Sequence, residues 1–383
     1  NLGKRGRPTA RFVPWVSLFK APDMQMAAIE RDEREAAGGA TVPFAVDLGP
    51  SALPCSGCGG IAGNRMLSLP GEPAATAPAA RFAYSLCGSC ESLDLVDVPA
   101  EMAGYYGGAY YSFRSGGAAR GLKAGIARLR NRAEAFGSGG LGGLLARIAP
   151  HARLRQLRPL VAGAVGRPLG RDARILDLGC GDGGWLRQLA ELGFRDLTGA
   201  DPYLEPSEAP GLRLIRAGID EVEGRFDLVA CSHALEHMAD PEAALAAMAR
   251  LAGPDGVVMV AIPLAASYGW RRYGGEWVQL DAPRHLHLYS ARGFASLAGR
   301  AGLELLRTTF DATEFMVLGS EARLAGIGPH QRREGLGDVK AAMRAFDRAG
   351  ARRIAALTNR LGTADQATFY LRSKSAPGRP RQG

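Results

Sequence analysis

The chain has 383 residues, 46% of them hydrophobic and 22% charged, which is enough for two or three domains with a large core and excludes a disordered tail protein. No apolar run approaches the roughly 18 residues of a membrane-spanning helix, and the longest, from Val257 to Ala266, reads as a buried strand with its following loop. The net charge of +9 is concentrated in two places, five basic residues and no acid before Asp23, and thirteen basic residues against two acids from Arg114 to Arg174. Such a strip suits a phosphate-bearing substrate, an anionic membrane surface or nucleic acid, or is simply a solvated helix face.

In chain order, residues 1–50 carry the first basic stretch and a short apolar segment, Phe12 to Phe19, broken by Pro14. This is a poor export signal, so the segment is expected to be weakly ordered and the compartment cytoplasmic. Residues 51–113 form a module with two Cys-x-x-Cys pairs, Cys55/Cys58 and Cys87/Cys90, separated by 28 residues. Paired thiolates on tight, glycine-containing knuckles are what a tetrahedral Zn2+ takes from four sulfurs, and a site closed by four cysteines is structural. Two disulfides are the alternative reading. Tyr105, Tyr106, Tyr110, Tyr111 and Phe113 then form an aromatic stretch that packs one domain on the next or lends a tyrosine to a substrate pocket.

Residues 114–170 are a basic helical linker, in which Leu141 to Val165 has the spacing of an amphipathic helix interrupted by Pro159. From residue 171 to 312 the pattern becomes strand, turn and helix in succession, with strands expected at 174–179, 196–200, 212–216, 226–231 and 256–262 and helices at 185–192 and 241–251. That alternation predicts an α/β fold with a doubly wound, seven-stranded, mostly parallel sheet. Residues 313–363 read as a helical insertion, 364–375 as the last strand of the sheet and 376–383 as a tail.

The glycine-rich turn Gly179-Cys180-Gly181-Asp182-Gly183 directly follows the first strand of this domain and lets a ligand approach the backbone. Asp201 ends the next strand, 22 residues after Gly179, where an acid takes both hydroxyls of a ribose. The pattern suggests an adenosine cofactor, but the glycines lack the Gly-x-Gly-x-x-Gly spacing of a dinucleotide site.

Asp177-Leu-Gly179-Cys-Gly181-Asp-Gly183 resembles motif I of class I S-adenosylmethionine-dependent methyltransferases, and the segment from Phe226 to Pro241 resembles the region around their fourth strand. The cysteine module, the tyrosine stretch and Trp277 to Ser290 are similar to a bacterial subgroup of zinc-containing methyltransferases that act on sugars and other small molecules. The resemblance implies that Asp177 and Gly179 to Gly183 line the methionine and ribose side of the cofactor. It also implies that Asp201 binds the ribose, that Asp220 meets adenine, and that Ser232 and His233 flank the sulfonium. Cys180 and Cys231 read as ordinary buried thiols.

Methyl transfer from a sulfonium needs alignment, exclusion of water and removal of one proton. A histidine suits the last task. His285 is the first choice as base, with Arg284 beside it to hold an anionic substrate group. His237, oriented by Glu236, is the second. A His/Glu set could instead hold a divalent metal. Tyr273 and Trp277 are expected as substrate-pocket walls or as plain core.

These readings combine into an S-adenosylmethionine-dependent methyltransferase with structural zinc. Its substrate is expected to be a small molecule bearing phosphate or linked to a phosphate-bearing carrier, such as a sugar or a glycan or nucleotide-sugar precursor, methylated on oxygen or carbon. Peripheral contact with an anionic surface is compatible with the basic strip. The alternatives are a nucleic-acid methyltransferase and a non-catalytic zinc-ribbon adaptor. Nucleic acid is disfavoured because the cysteine module holds only Arg65 and Arg81 between 55 and 90, and because Cys231-Ser-His-Ala replaces the loop that would hold a flipped base. Oligomeric state is not encoded in any recognisable pattern.

Overall fold

The computed structural model describes residues 42–71, 80–106, 121–325 and 347–374. Two sheets organise them. The first runs β1 (Val46–Pro50), β2 (Arg65–Pro70), β3 (Arg81–Leu86), β4 (Leu93–Leu95) and β11 (His287–Leu288), each neighbour antiparallel. In β2 the alternation of side chains sends Leu67 and Leu69 inward, where they meet Tyr84, Leu93, Trp270 and Trp277.

The second sheet has the order β12-β13-β10-β9-β5-β6-β8-β7. Its parallel part consists of β5 (Arg174–Leu178), β6 (Asp196–Ala200), β8 (Leu212–Ile215), β9 (Leu228–Ser232) and β10 (Val257–Pro263). β13 (Gln366–Ser373) inserts antiparallel between β10 and β12 (Leu303–Phe310). The sheet has eight strands where seven were expected, because the chain after β6 folds back as the exposed three-residue strand β7 (Ser207–Ala209) on the edge of β8. β10 is buried throughout, as an all-apolar strand covered on both faces must be. One face carries the helices Pro241–Ala252 and Ala291–Arg300, through Leu245, Met248, Phe294 and Leu297. The other carries the helix Gly184–Glu191 together with Leu154, Leu157 and Leu160 of the basic segment. Each fully buried leucine contributes about 1.5–3 kcal/mol relative to exposure. Local signals start these helices: the Asp240 carboxylate accepts from Ala243 N–H at 2.9 Å ahead of Pro241, and Ser290 Oγ accepts from Gly293 N–H at 3.0 Å.

The chain leaves β5 toward β6 and β8, then returns to β9 and β10 on the other side. A crevice therefore opens beyond the carboxyl ends of β5 and β9, the place where doubly wound sheets bind ligands.

Three expectations about segments need correction. Residues 46–50 form a hydrogen-bonded strand rather than a weakly ordered extension. The cysteine module does not end before the α/β domain begins, because β11 of the later segment pairs with β4 and Leu95 N–H donates to Leu286 O at 2.8 Å. The stretch 141–165 is not one helix: it breaks into Gly140–Ile148, Ala152–Arg155 and Arg158–Val161, with Pro150 ending the first and Pro159 inside the first turn of the last. The expected insertion contains the helices Phe315–Leu324 and Arg348–Leu361. Residues 1–41, the aromatics Tyr110, Tyr111 and Phe113, the middle of the insertion and the tail lie outside the described residues. Among the described residues no helix is long and apolar enough to cross a membrane.

Candidate active site

β5 delivers the glycine turn to the crevice. Gly179, Gly181 and Gly183 all have positive φ, which other residues adopt at a cost. At Gly179 a Cβ would also lie 2.6 Å from the Cβ of Ala234, so only glycine lets the turn close on the segment after β9. Asp201, at the end of β6, accepts from Gly181 N–H at 3.1 Å and from Tyr203 N–H at 2.9 Å. The turn and the acid are thus one hydrogen-bonded unit. Asp182 accepts from Gly184 N–H at 2.9 Å and opens the helix Gly184–Glu191. Cys180 is buried against Gly199, and burial raises its thiol and that of Cys231 well above the usual range.

Asp177 behaves differently from the expectation. Its carboxylate is fully buried and is held by Arg153 at 2.8 and 2.9 Å, so it supports the turn from behind instead of facing a ligand. Burial raises its proton affinity and Arg153 partly offsets this. Arg153 also lies over the Trp185 ring at 4.8 Å. Its only signature in the sequence is membership of the basic strip.

The segment after β9 supplies a second set. Ser232 ends that strand, and His233, with φ of 52°, donates its N–H to Ala261 O at 2.8 Å. Glu236 is 1% exposed and is surrounded by imidazoles: His233 Nδ1 lies 3.4 Å and His285 Nε2 3.9 Å from its Oε1, and the His237 and His285 rings meet edge to face at 4.7 Å. Burial opposes ionisation of Glu236, yet these imidazoles hold its carboxyl down to about 2. Burial likewise opposes charge on His233, but Glu236 raises it above the usual histidine value. Asp220 lies in the turn Ile219–Glu221 that follows β8.

The structure brings His285 into this cluster but revises its role. Burial, with His237 beside it, pushes the His285 imidazole down to about 4, which makes it a weak proton acceptor. Arg284 is not placed for an anionic substrate either. It is buried, forms an ion pair with Asp281 and donates to Tyr105 O at 3.0 Å. Tyr273 and Trp277 are core: the Tyr273 hydroxyl donates to Glu321 at 3.0 Å and Trp277 Nε1–H donates to Asp365 at 2.8 Å, both with buried rings. Tyr84 and Asp365 therefore matter to this region without any motif to announce them, and Asp281 lies within the Trp277 to Ser290 stretch without having been singled out. Tyr84 OH, from β3, donates to His285 O at 2.9 Å.

The cysteine module places Cys55, Cys58, Cys87 and Cys90 with their sulfurs mutually within 4.8 Å. Cys55 and Cys90 are 3.5 Å apart, as are Cys58 and Cys87, far beyond a disulfide bond and near the roughly 3.8 Å edge of a tetrahedron with metal–sulfur bonds of about 2.3 Å. The amides of Ser89 and Cys90 both donate to Cys87 Sγ at 3.4 Å, as knuckle amides do to a thiolate. The donor set is compatible with zinc.

A doubly wound sheet with a glycine turn and a ribose-spaced acid at its switch point defines the class I, S-adenosylmethionine-dependent methyltransferase type of domain. Residues 149–308 match the methyltransferase domain family. Among curated proteins, the chain is similar to the ubiquinone biosynthesis O-methyltransferase of Pectobacterium atrosepticum, 30% identical over 129 residues, covering 30% of this chain and 53% of that protein. The enzyme of the same name from Salmonella paratyphi A is 30% identical over 152 residues, covering 35% and 62%. The chain thus spans only about half to three-fifths of the length of these relatives. A solved structure, the 1,6-didemethyltoxoflavin-N1-methyltransferase of Burkholderia thailandensis, shares 16% identity at a TM-score of 0.38, covering 80% of this chain and 100% of that one.

Proposed function

We propose that the chain is an S-adenosylmethionine-dependent methyltransferase acting on a small molecule, with a structural zinc held by Cys55, Cys58, Cys87 and Cys90. The observation that carries this reading is that the Gly179–Gly183 turn, bonded to Asp201, packs at Gly179 against Ala234 of the segment that carries His233, Glu236 and His237. Asp201 would hold the ribose and Ser232 and His233 would border the reacting end. The bound cofactor supplies an electrophilic methyl group. The chain's own task is then to exclude water, orient the acceptor and receive the charge of its departing proton, and the buried Glu236 cluster is suited to that last step.

The acceptor is an oxygen in this reading, supported by the O-methyltransferase names of the curated relatives. A sugar or a glycan or nucleotide-sugar precursor fits the basic segment, whose Arg128, Arg130, Arg132 and Arg147 remain for an anionic substrate or surface now that Arg284 is buried. A cytoplasmic setting agrees with four cysteines held as a thiol cluster rather than as disulfides.

Calorimetric titration with S-adenosylmethionine, S-adenosylhomocysteine and NAD, after metal analysis of the same sample, tests the proposal. The expected result is binding of the first two at about micromolar Kd with about one zinc at the cysteine cluster, followed by turnover in a screen of sugar nucleotides. Failure of both sulfur ligands to bind would overturn the enzyme reading.

A further inference from the structure

Glu236, His237 and His285 offer one carboxylate oxygen and two ring nitrogens, all within 4.8 Å of one another. The backbone fixes the tautomer of each ring. His237 Nδ1 lies 2.8 Å from Arg284 O, and His285 Nδ1 lies 2.8 Å from Gln279 O. A carbonyl oxygen only accepts, so each Nδ1 carries the proton and each Nε2 carries the lone pair. Glu236 is almost completely buried, and neither of its oxygens accepts a well-formed hydrogen bond, with His233 Nδ1 3.4 Å away. A buried carboxylate and two imidazoles of fixed tautomer therefore lie within reach of one cation, with His285 Nε2 3.9 Å from Glu236 Oε1.

The geometry points to a divalent metal site formed by Glu236, His237 and His285, separate from the four-cysteine cluster. Two imidazoles and a carboxylate suit Zn2+, Mn2+ or Co2+, whereas four thiolates suit Zn2+ and exclude Mn2+. Donation of the far ring nitrogen to a backbone carbonyl is the usual way a ligating histidine is held in place. Three protein ligands leave coordination positions open, and Glu236 makes the site net negative before a cation enters.

The purpose of the site rests on the methyltransferase reading. An acceptor hydroxyl that displaces water from an open position on the cation passes its proton to that departing water more readily, and the O–H bonding pair stays on oxygen. That oxygen then forms the new O–CH3 bond as the S–CH3 bond breaks, and the sulfonium becomes a neutral thioether. The substrate class is accordingly one that presents an oxygen ligand, with a neighbouring oxygen improving its hold.

Mn2+ is the probe, followed by electron paramagnetic resonance of the full chain with zinc already in the cysteine cluster and no cofactor present. The expected result is saturable uptake of about one Mn2+ per chain below ~1 mM, lost in both Glu236→Gln and His285→Gln. Co2+ added to the wild type should give visible bands of a nitrogen and oxygen site, without thiolate charge transfer. No saturable uptake of either cation by wild-type protein would overturn the inference, whatever the variants do. S-adenosylhomocysteine titrated into metal-stripped protein separates the two readings. Cofactor binding without Mn2+ uptake refutes the metal site alone, and Mn2+ uptake without cofactor binding refutes the enzyme reading alone.

Discussion

Replacing Arg153 by Met keeps much of its aliphatic stem and removes the guanidinium, which pairs with Asp177 and also lies over the Trp185 ring. Asp177 is fully buried and has its charge compensated by this arginine, whose own side chain is 29% exposed. Breaking a buried pair from one side costs about 3–5 kcal/mol, and the partial exposure of Arg153 argues for the lower end, about 3 kcal/mol. At about 2–4 °C per kcal/mol for a domain of this size, the melting temperature should fall by about 6–12 °C. The sign with pH is fixed. Burial already raises Asp177, and without Arg153 it rises further. A carboxyl whose folded value exceeds its unfolded one imposes a penalty that is absent below the unfolded value and complete above the folded one. The deficit should therefore be larger at pH 8 than at pH 5, and Asp177→Asn placed in the same chain should recover part of it. Thermal melts of the wild type, both single variants and the double variant decide the matter. A loss under about 1 kcal/mol, or an equal loss at both pH values, would refute the reasoning.

Three further outcomes are expected. Asp201→Ala should weaken S-adenosylhomocysteine binding at least tenfold by calorimetry, since it removes both the proposed ribose acceptor and the anchor of Gly181 N–H; unchanged affinity would contradict the assignment. Cys58→Ser should lower zinc content and the stability of the β1–β4 module, and full zinc by elemental analysis would reverse that conclusion. Glu134, buried beneath Arg155 and Arg158, is opposed by burial but held below the usual carboxylate range by those arginines and by His151 N–H. A lowered carboxyl stabilises above its unfolded value and loses that contribution as pH falls through the folded one. Glu134→Gln should accordingly melt lower at pH 7 by about 1–3 kcal/mol and flatten the acid limb of the stability profile below about pH 5.

Local chemistry made much of this molecule legible in its sequence. The all-apolar β10, the glycine turn after β5 and the Asp240-Pro241 helix start each depend on adjacent residues, and each lies where its pattern indicates. The four cysteines were legible because their knuckles are local and only one long-range meeting had to be inferred. What the sequence concealed depends on partners far along the chain. Trp277 is committed to Asp365, 88 residues away, and Asp177 to Arg153, 24 residues before it. Arg284 looked available because nothing in a one-dimensional pattern reveals that Asp281, one turn earlier, would be buried with it. His285 is next to a charged residue in sequence but enclosed in space, so its low proton affinity emerges only from packing.

The pairing of β4 with β11 has a consequence for how this chain can be divided. A module that borrowed nothing from its neighbour could be exchanged between proteins by joining genes at a linker. Here the segment Asp281–Ser290 contributes a strand to the cysteine module's sheet and a histidine to the crevice, while Arg300 donates to Ser56 O and Gly57 O at 2.6 Å. Removing residues before 121 would leave β11 without its strand partner and Trp270 and Trp277 without the leucines that cover them. The two halves therefore share one folded structure. The cysteine knuckles and the histidine cluster are thus linked through one short stretch of chain, from His285 to His287 and its β4 partner Asp94.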